Sequence, residues 1–452
     1  MKRVFISLFL ILNIMSGSVS LFSQAAEEYA ARRRQVIDRM EPGSVMIIRT
    51  AGESGRFDYE KKGGYFRYLA GFEEPECMLV LFAADFKSPA VPGGNQVLFI
   101  RPVNRERKNW DAQTLGLEGA REIYGFQDVR PSAEAPDYAG RLLAGKITVL
   151  YIELPKASSV LAPLAPGEML VRSAREHGAA FTTESPGKIL LPLISVKSPA
   201  EAGLLQQAVS ITAEAQREAM RTIRGGLYEY QVDALIRYVF GVNGAGGVSF
   251  PTIVGSGINS VILHWMENSR RMEDGDLVVV DCGAEYGMYC ADITRTYPVN
   301  GKFTARQREI YEIVLAANQE AIKRVGPGVP MTLVNSAADS VIAEGLLRIG
   351  LISDRSEFRK YYYHGLSHQI GLRGEYGGLV QVLEPGMVIT IEPGIYVREE
   401  KTGVRIEDDV LVTATGYEVL SDGAPKTVSE IEKGMKESGT DLSKNLVGGT
   451  AR

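Results

Sequence analysis

Two aspartates set into one β-hairpin constrain this chain more than any other feature. The stretch LVVVDCGAEYGMYCADITRTYPV, residues 277–299, leads an apolar strand into Asp281, turns through a Gly-containing segment, and returns through Asp292 into a second strand-like run. With the turn centred on Tyr286-Gly287, antiparallel pairing sets Asp281 directly across from Asp292, with Cβ atoms roughly 4.5–5.5 Å apart. Carboxylates that close repel. A fold that keeps them either lets them share a proton, as an acid-protease dyad does, or bridges them with cations.

Three residues further along decide between these. His368 in HGLSH, Glu392 in TIEPG and Glu407 in VRIEDD each lie in or just beyond an apolar, strand-like segment. Together with the two aspartates they offer enough oxygen, and one imidazole, for two hard divalent ions about 3.5–4 Å apart. A dyad needs none of these extra groups. A lone Asp, Glu or His is ordinarily solvated or salt-bridged, and it is the joint occurrence of five such residues that points to bound metal. In the same hairpin Cys282 and Cys290 differ in strand parity and point to opposite faces, which makes a disulfide between them an unfavourable expectation. With Cys77 they complete a sparse, odd set of 3, unlike a disulfide framework.

The rest of the 452 residues reads as an α/β (α+β) chain with two full-sized cores. EEYAARRRQVIDRM is amphipathic, and strand-like runs recur at SVMIIRT, CMLVLFAA, QVLFIRPV and KITVLYIEL. At LPLISVKSPAEAGLL the texture changes, and Ser198-Pro199 stand like an N-cap and first-turn pair before a long helix. The expected domains are residues 27–195 and 196–432. In the second, helices at YEYQVDALIRYVF, TARQREIYEIVLAANQEAIKRV and MTLVNSAADSVIAEGLLRIG alternate with strands at LVVVDCG, MVITIEPGIYV and GVRIEDDVLVTA, which suggests an internal duplication of helix-strand units. The tail from 433 to 452 is too small and polar to order itself. A net charge of −5 with dispersed Lys and Arg excludes nucleic-acid binding. Residues 1–25 have the charged start, short apolar run and small residues of an export signal, so the expected mature protein is periplasmic or secreted and free of the membrane.

These motifs resemble the pita-bread metallopeptidases, and within them aminopeptidase P and prolidase. YFRYLAGFEEPECMLVLF is similar to the aminopeptidase P (creatinase-like) N-terminal domain, and SFPTIVGSGINSVILHW through GVRIEDDVLVTATGYEVL to the pita-bread catalytic domain. The resemblance implies two divalent cations, manganese first, with cobalt or zinc as alternatives. Asp281 would chelate one ion, Asp292 and Glu407 bridge both, and His368 and Glu392 complete the second. It further implies that a metal-bridging water or hydroxide attacks the carbonyl of an N-terminal Xaa-Pro bond, with Glu392 relaying a proton. His264, in VILHW, would hold substrate and the tetrahedral intermediate. His364, Tyr396 and Arg405 would line the pocket for the proline. His364 and His368, four apart, share a face in either a strand or a helix.

One position departs from the family pattern. Where a second substrate-contacting histidine follows seven residues after the metal histidine, this chain has Glu375, preceded by the equally atypical Arg373 and Gly374. Only His177 remains beyond the three already named, expected on the surface of the first domain. A carboxylate there adds negative charge beside a developing oxyanion, a loss of about 10²-fold or more by analogy with single-donor deletions. The resemblance therefore implies an Xaa-Pro aminopeptidase acting on peptides with proline second. A prolidase-type dipeptidase and a catalytically weakened metal- and peptide-binding protein are the alternatives. Trp110 matches a segment that approaches a neighbouring subunit's site in the family, and a homodimer or homotetramer is the corresponding expectation.

Overall fold

The computed structural model describes residues 26–50, 64–86, 94–103, 114–154, 166–372 and 381–442. The expected leader, Trp110, Glu375 with Arg373 and Gly374, and the tail beyond 442 lie outside these residues. Two compact units divide the chain, Met1–Pro192 and Leu193–Arg452. Among the described residues no helix is long and apolar enough to cross a membrane.

The first unit is built on β1 (Val45–Arg49), β2 (Met78–Phe82), β3 (Gln96–Ile100), β4 (Val129–Pro131), β5 (Val149–Ile152) and β6 (Thr182–Glu184), in the sheet order β4-β3-β2-β1-β5-β6. The β1–β2 and β2–β3 pairs are antiparallel and the other three parallel. VMIIR and MLVLF are nearly unbroken apolar runs because both faces of these strands are covered. On one face Val45, Ile47, Val80 and Phe99 pack with Tyr138 and Leu142 of helix Ala135–Leu143 and Val171 of helix Pro166–Glu176. Their strand neighbours Met46, Ile48, Leu79 and Leu98 are equally buried on the other face. His177, just past the second of these helices, is exposed, as expected.

The second unit opens with helix Pro199–Thr222, whose N-cap Ser198 forms a reciprocal capping box with Glu201 and whose first position is Pro199. Helix Glu229–Val242 follows, then β7 (Gly247–Val248), β8 (Ile253–Ser256), β9 (Leu277–Cys282), β10 (Ala284–Tyr286), β11 (Tyr289–Cys290) and β12 (Ile293–Pro298). Helices Ala305–Ile322 and Met331–Arg348 precede β13 (Val388–Ile391), β14 (Gly394–Val397), β15 (Thr402–Arg405), β16 (Asp408–Val412) and β17 (Tyr417–Val419). The chain thus runs twice through two helices and a long hairpin.

Strand alternation then sorts the side chains of both hairpins. Val278, Val280, Tyr297, Ile389, Ile391, Val404 and Val410 join the helical residues Leu235, Val314 and Ile342 in one apolar core. Asp281, Thr294 and Thr390 have the opposite parity in their strands and face away from that core. Residues 433–442, read as the start of a loose tail, are instead docked: Thr440 N donates to Glu218 Oε1 at 2.9 Å, Asp441 pairs with Arg224 at 3.1 Å, and Leu442 O accepts from Gln231. Main-chain and side-chain groups of this stretch find fixed partners on the first two helices of the unit and on the turn between them.

Candidate metal centre

The aspartate hairpin turns one residue later than its sequence suggests. Tyr286 pairs with Tyr289 around Gly287 and Met288, whose φ angles of 56° and 74° make the turn of type I′, and Glu285 Oε1 accepts from Met288 N at 3.0 Å. The register that follows puts Thr294, not Asp292, across from Asp281. Asp292 falls in the gap between β11 and β12, opposite Gly283, where a Cβ would come within 1.8 Å of Ala291 O. The two aspartates keep the same face but are diagonal neighbours, at roughly 7 Å between Cβ atoms rather than directly opposed.

The second hairpin has a gap of the same kind. β13 pairs with β16 and β14 with β15 in one continuous register, which leaves Glu392 directly opposite Glu407 between the two ladders. MVITIEPGIYV and GVRIEDDVLVTA, each read as a single strand, are therefore each two. Pro393 explains the break, because it has no N–H to donate, although its carbonyl still accepts from Ile406 at 3.3 Å.

His368 reaches this gap on an extended segment beside β13. Glu392 N donates to Leu366 O, Thr390 N to His368 O and Ile370 N to Val388 O, alternating as along a sheet edge. The four-residue spacing of His364 and His368 thus belongs to non-helical chain, bent at His364 and Leu366 before it runs beside β13. His368 Nε2 stands 3.6 Å from Asp292 Oδ2 and 3.5 Å from Glu392 Oε1, too long for hydrogen bonds. One ligand atom each of Asp292, His368 and Glu407 lies within 4.8 Å of the others.

The electrostatics of this cluster are one-sided. Burial, then Glu407 and Asp281, push the Asp292 carboxyl well above the usual carboxylate range. Burial, then Glu392 and Asp281, do the same to Glu407. Asp281 Oδ2 accepts from Arg405 Nη2 at 2.6 Å, while its buried Oδ1 has no hydrogen-bond partner among the described residues. Four carboxylates face one guanidinium. An oxygen-rich set with one imidazole and an orphaned carboxylate oxygen fits hard divalent cations, which favour the ionised forms that the protein alone resists.

Beside the carboxylates lies an ordered chain of donors. Arg405, a donor only, gives Nη1–H to the Tyr396 hydroxyl at 3.2 Å. The single hydroxyl proton of Tyr396 then goes to His364 Nε2 at 2.9 Å, and His364 Nδ1–H is donated to Gly365 O at 2.7 Å. Burial, then Arg405, hold His364 down to about 4, so its imidazole is neutral. Tyr396 and Arg405 are buried, whereas His264 is exposed, near enough to His364 for their charged forms to repel.

Several supporting residues carried no sequence signal strong enough to single out. Thr294 Oγ1 donates to Glu407 Oε2 at 2.6 Å and accepts from Arg405 Nε at 3.1 Å. Thr390 Oγ1 accepts from His368 N at 3.1 Å and donates to Glu392 Oε1 at 3.4 Å. Asp409 Oδ2 accepts from Asp292 N at 3.1 Å. A trace existed: Thr294 stands two residues after Asp292, and Thr390 two before Glu392, the spacing that shares a strand face.

Known proteins share this arrangement of sequence. Residues 203–414 match the model of Metallopeptidase family M24, and residues 29–151 that of Aminopeptidase P, N-terminal domain. The chain is 35% identical over 432 residues to the Xaa-Pro aminopeptidase of Escherichia coli (strain K12), covering 90% of this chain and 97% of that one. It is also 35% identical over 433 residues to the Xaa-Pro aminopeptidase of Haemophilus influenzae, with the same coverage of 90% and 97%. The solved structure of Escherichia coli aminopeptidase P with the inhibitor Pro-Leu superposes with a TM-score of 0.80 at 34% identity, covering 91% of this chain and 98% of that one.

Proposed function

This chain belongs to metallopeptidase family M24 and carries an aminopeptidase P N-terminal domain, and from that premise we propose that it is a metal-dependent aminopeptidase that releases the first residue of peptides whose second residue is proline. The observation that carries the reading is the set Asp281, Asp292, His368, Glu392 and Glu407 beside the Arg405–Tyr396–His364 chain. That Escherichia coli aminopeptidase P takes the inhibitor Pro-Leu supports a preference for proline-containing peptides in this chain.

In this reading the five residues hold two divalent cations, which supply a water acidified toward neutral pH and a polarised carbonyl when bound. The dominance of carboxylate oxygen supports manganese. Glu392 accepts a proton at a carboxylate oxygen and passes it to the departing peptide. Neutral His364, fixed in one tautomer by Tyr396 and Gly365, packs with Tyr396 to form a rigid wall for the proline ring. His264, exposed at the rim, donates to the scissile carbonyl. The leader-like residues 1–25 support action outside the cytoplasm.

The test is incubation of the purified, manganese-loaded chain with an Xaa-Pro-Xaa tripeptide and an Xaa-Ala-Xaa control. Release of the free first residue from the proline peptide is expected. No release, with bound metal verified, overturns the reading, and preferential cleavage of an Xaa-Pro dipeptide replaces it with a prolidase-type activity. Glu375 favours a second reading, a catalytically weakened protein that binds metal and peptide. Under it, Glu375→His raises turnover by about 10²-fold, and an unchanged rate removes it.

A further inference from the structure

Glu229 is the first residue of helix Glu229–Val242 and is wholly buried, yet its carboxylate is not paired within that helix. Oε1 accepts from Ser256 N at 2.7 Å, Ser256 Oγ at 2.7 Å and Asn259 Nδ2 at 3.1 Å. Oε2 accepts from Trp265 Nε1 at 2.8 Å and Arg270 N at 2.9 Å. The main chain adds another tie, with Glu229 N donating to Arg270 O at 3.0 Å. All these donors belong to one segment, residues 256–270, and the carboxylate gathers its beginning, middle and end at a single point.

That segment carries His264, immediately before Trp265. Among the described residues the His264 side chain makes no hydrogen bond of its own, so the position of its ring is inherited from the chain on either side. On the N-terminal side Tyr363 Oη donates to Val261 O at 2.9 Å while its ring packs 5.2 Å from that of Tyr396, which ties the segment to the proline-pocket wall. On the C-terminal side the side-chain anchor next to His264 is the Trp265 indole on Glu229, and Asn268, four residues on, is held by Thr252 O and Val254 N.

We propose that Glu229 is a positioning residue of the peptidase reaction, acting through Trp265 and the 256–270 segment to hold the His264 imidazole at the rim of the metal centre. The role requires a carboxylate. Its oxygens only accept, and every group facing them donates. An amide in the same place must turn its NH2 toward either Ser256 N or the pair Trp265 Nε1 and Arg270 N, leaving at least one buried donor opposed by another donor. The proposal rests on the reading under Proposed function that His264 contacts substrate.

The test compares Glu229→Gln, His264→Ala and the double variant as full-length, manganese-loaded proteins on an Xaa-Pro-Xaa peptide. Glu229→Gln is expected to lower kcat/KM by about 10- to 100-fold, chiefly in kcat, with metal affinity by calorimetry unchanged. The double variant should fall no further than His264→Ala alone, since one effect acts through the other. Glu229→Asp, an acceptor-only group on a shorter stem, should recover part of the rate. The chain has 2 tryptophans, so on a Trp110→Phe background the emission of Trp265 reports the indole directly: Glu229→Gln should shift it to the red and raise its quenching by iodide. Losses that multiply in the double variant, or an unchanged rate in Glu229→Gln with His264→Ala impaired, overturn the positioning role alone. Full activity in His264→Ala defeats the underlying reading and the inference with it.

Discussion

Glu407 and Asp408 are consecutive, both buried, and belong to two regions that treat a carboxylate in opposite ways. Glu407 faces Asp281 and Glu392, and after burial itself Glu392 and Asp281 push it well above the ordinary range. Asp408 points to the other side of the strand. Burial would raise it too, but Arg295 and Lys426 outweigh burial and hold it below its usual value. Its Oδ1 accepts from Arg295 Nη2 and Ser421 Oγ, both at 2.7 Å, and its Oδ2 from Lys426 Nζ at 2.6 Å. The difference teaches how to tell a structural buried acid from a ligand. Where the chain itself supplies the cations, the charge serves the fold. Where it gathers acids around one arginine, the missing positive charge is to come from outside.

The largest effect should come from breaking the satisfied side. Asp408→Asn removes the charge facing the fully buried Arg295 and is expected to destabilise the second unit by about 3–5 kcal/mol, read from the denaturant midpoint. The folded fraction should retain most of its turnover. A neutral result would mean that the Arg295 cluster contributes nothing to stability, and the contrast between the two regions would collapse. On the other side, Glu407→Gln is expected to lower kcat/KM on the order of 10²- to 10³-fold. In metal-free protein the same substitution removes a repelling acid, so the midpoint should hold steady or rise. A fall comparable to that of Asp408→Asn would show both carboxylates to be structural.

Metal removal sharpens the contrast with a smaller shift. With ion present at 100 times its dissociation constant, chelation should cost the wild-type chain about 2.7 kcal/mol of stability, and Glu407→Gln clearly less. The pH dependence has a definite sign. Asp292 and Glu407 are held above their ordinary values in the metal-free fold, so they retain protons at pH values where free acids have lost them. Ion binding must expel those protons. Affinity should therefore rise with pH until the raised acids ionise, with proton release seen as buffer-dependent heat in calorimetry. A pH-independent affinity would place the ion elsewhere.

Much of the centre was legible in short sequence motifs, because a ligand's chemical type cannot be disguised and its strand context is local. Asp281, Asp292, Glu392, Glu407 and His368 all converge on one face. The hairpin register was misread by one residue at its turn. Gly287 signals the turn, but the Glu285 side chain on Met288 N fixes which pair is central. The broken strands at Glu392 and Glu407 were misread because apolar runs on both sides hide a Pro393 gap inside one register. Three-residue strands such as β4 and β6 escape the sequence because so few residues give no usable periodicity, whereas helices Ala135–Leu143 and Pro166–Glu176 are long enough to be amphipathic and were legible in principle.

The sequence by itself determined which donor groups exist, where helices are capped, as at Ser198-Pro199, and that two helix-strand rounds recur. These depend on neighbours two to four residues apart. Only the tertiary structure decided that Arg295 compensates Asp408 from 113 residues away, that Thr294 steadies Glu407 over the same separation, and that Glu229 gathers a segment ending 41 residues later. Burial and charge compensation are properties of the packed interior. An acid becomes a ligand or a structural anchor according to which distant groups share its low-dielectric surroundings.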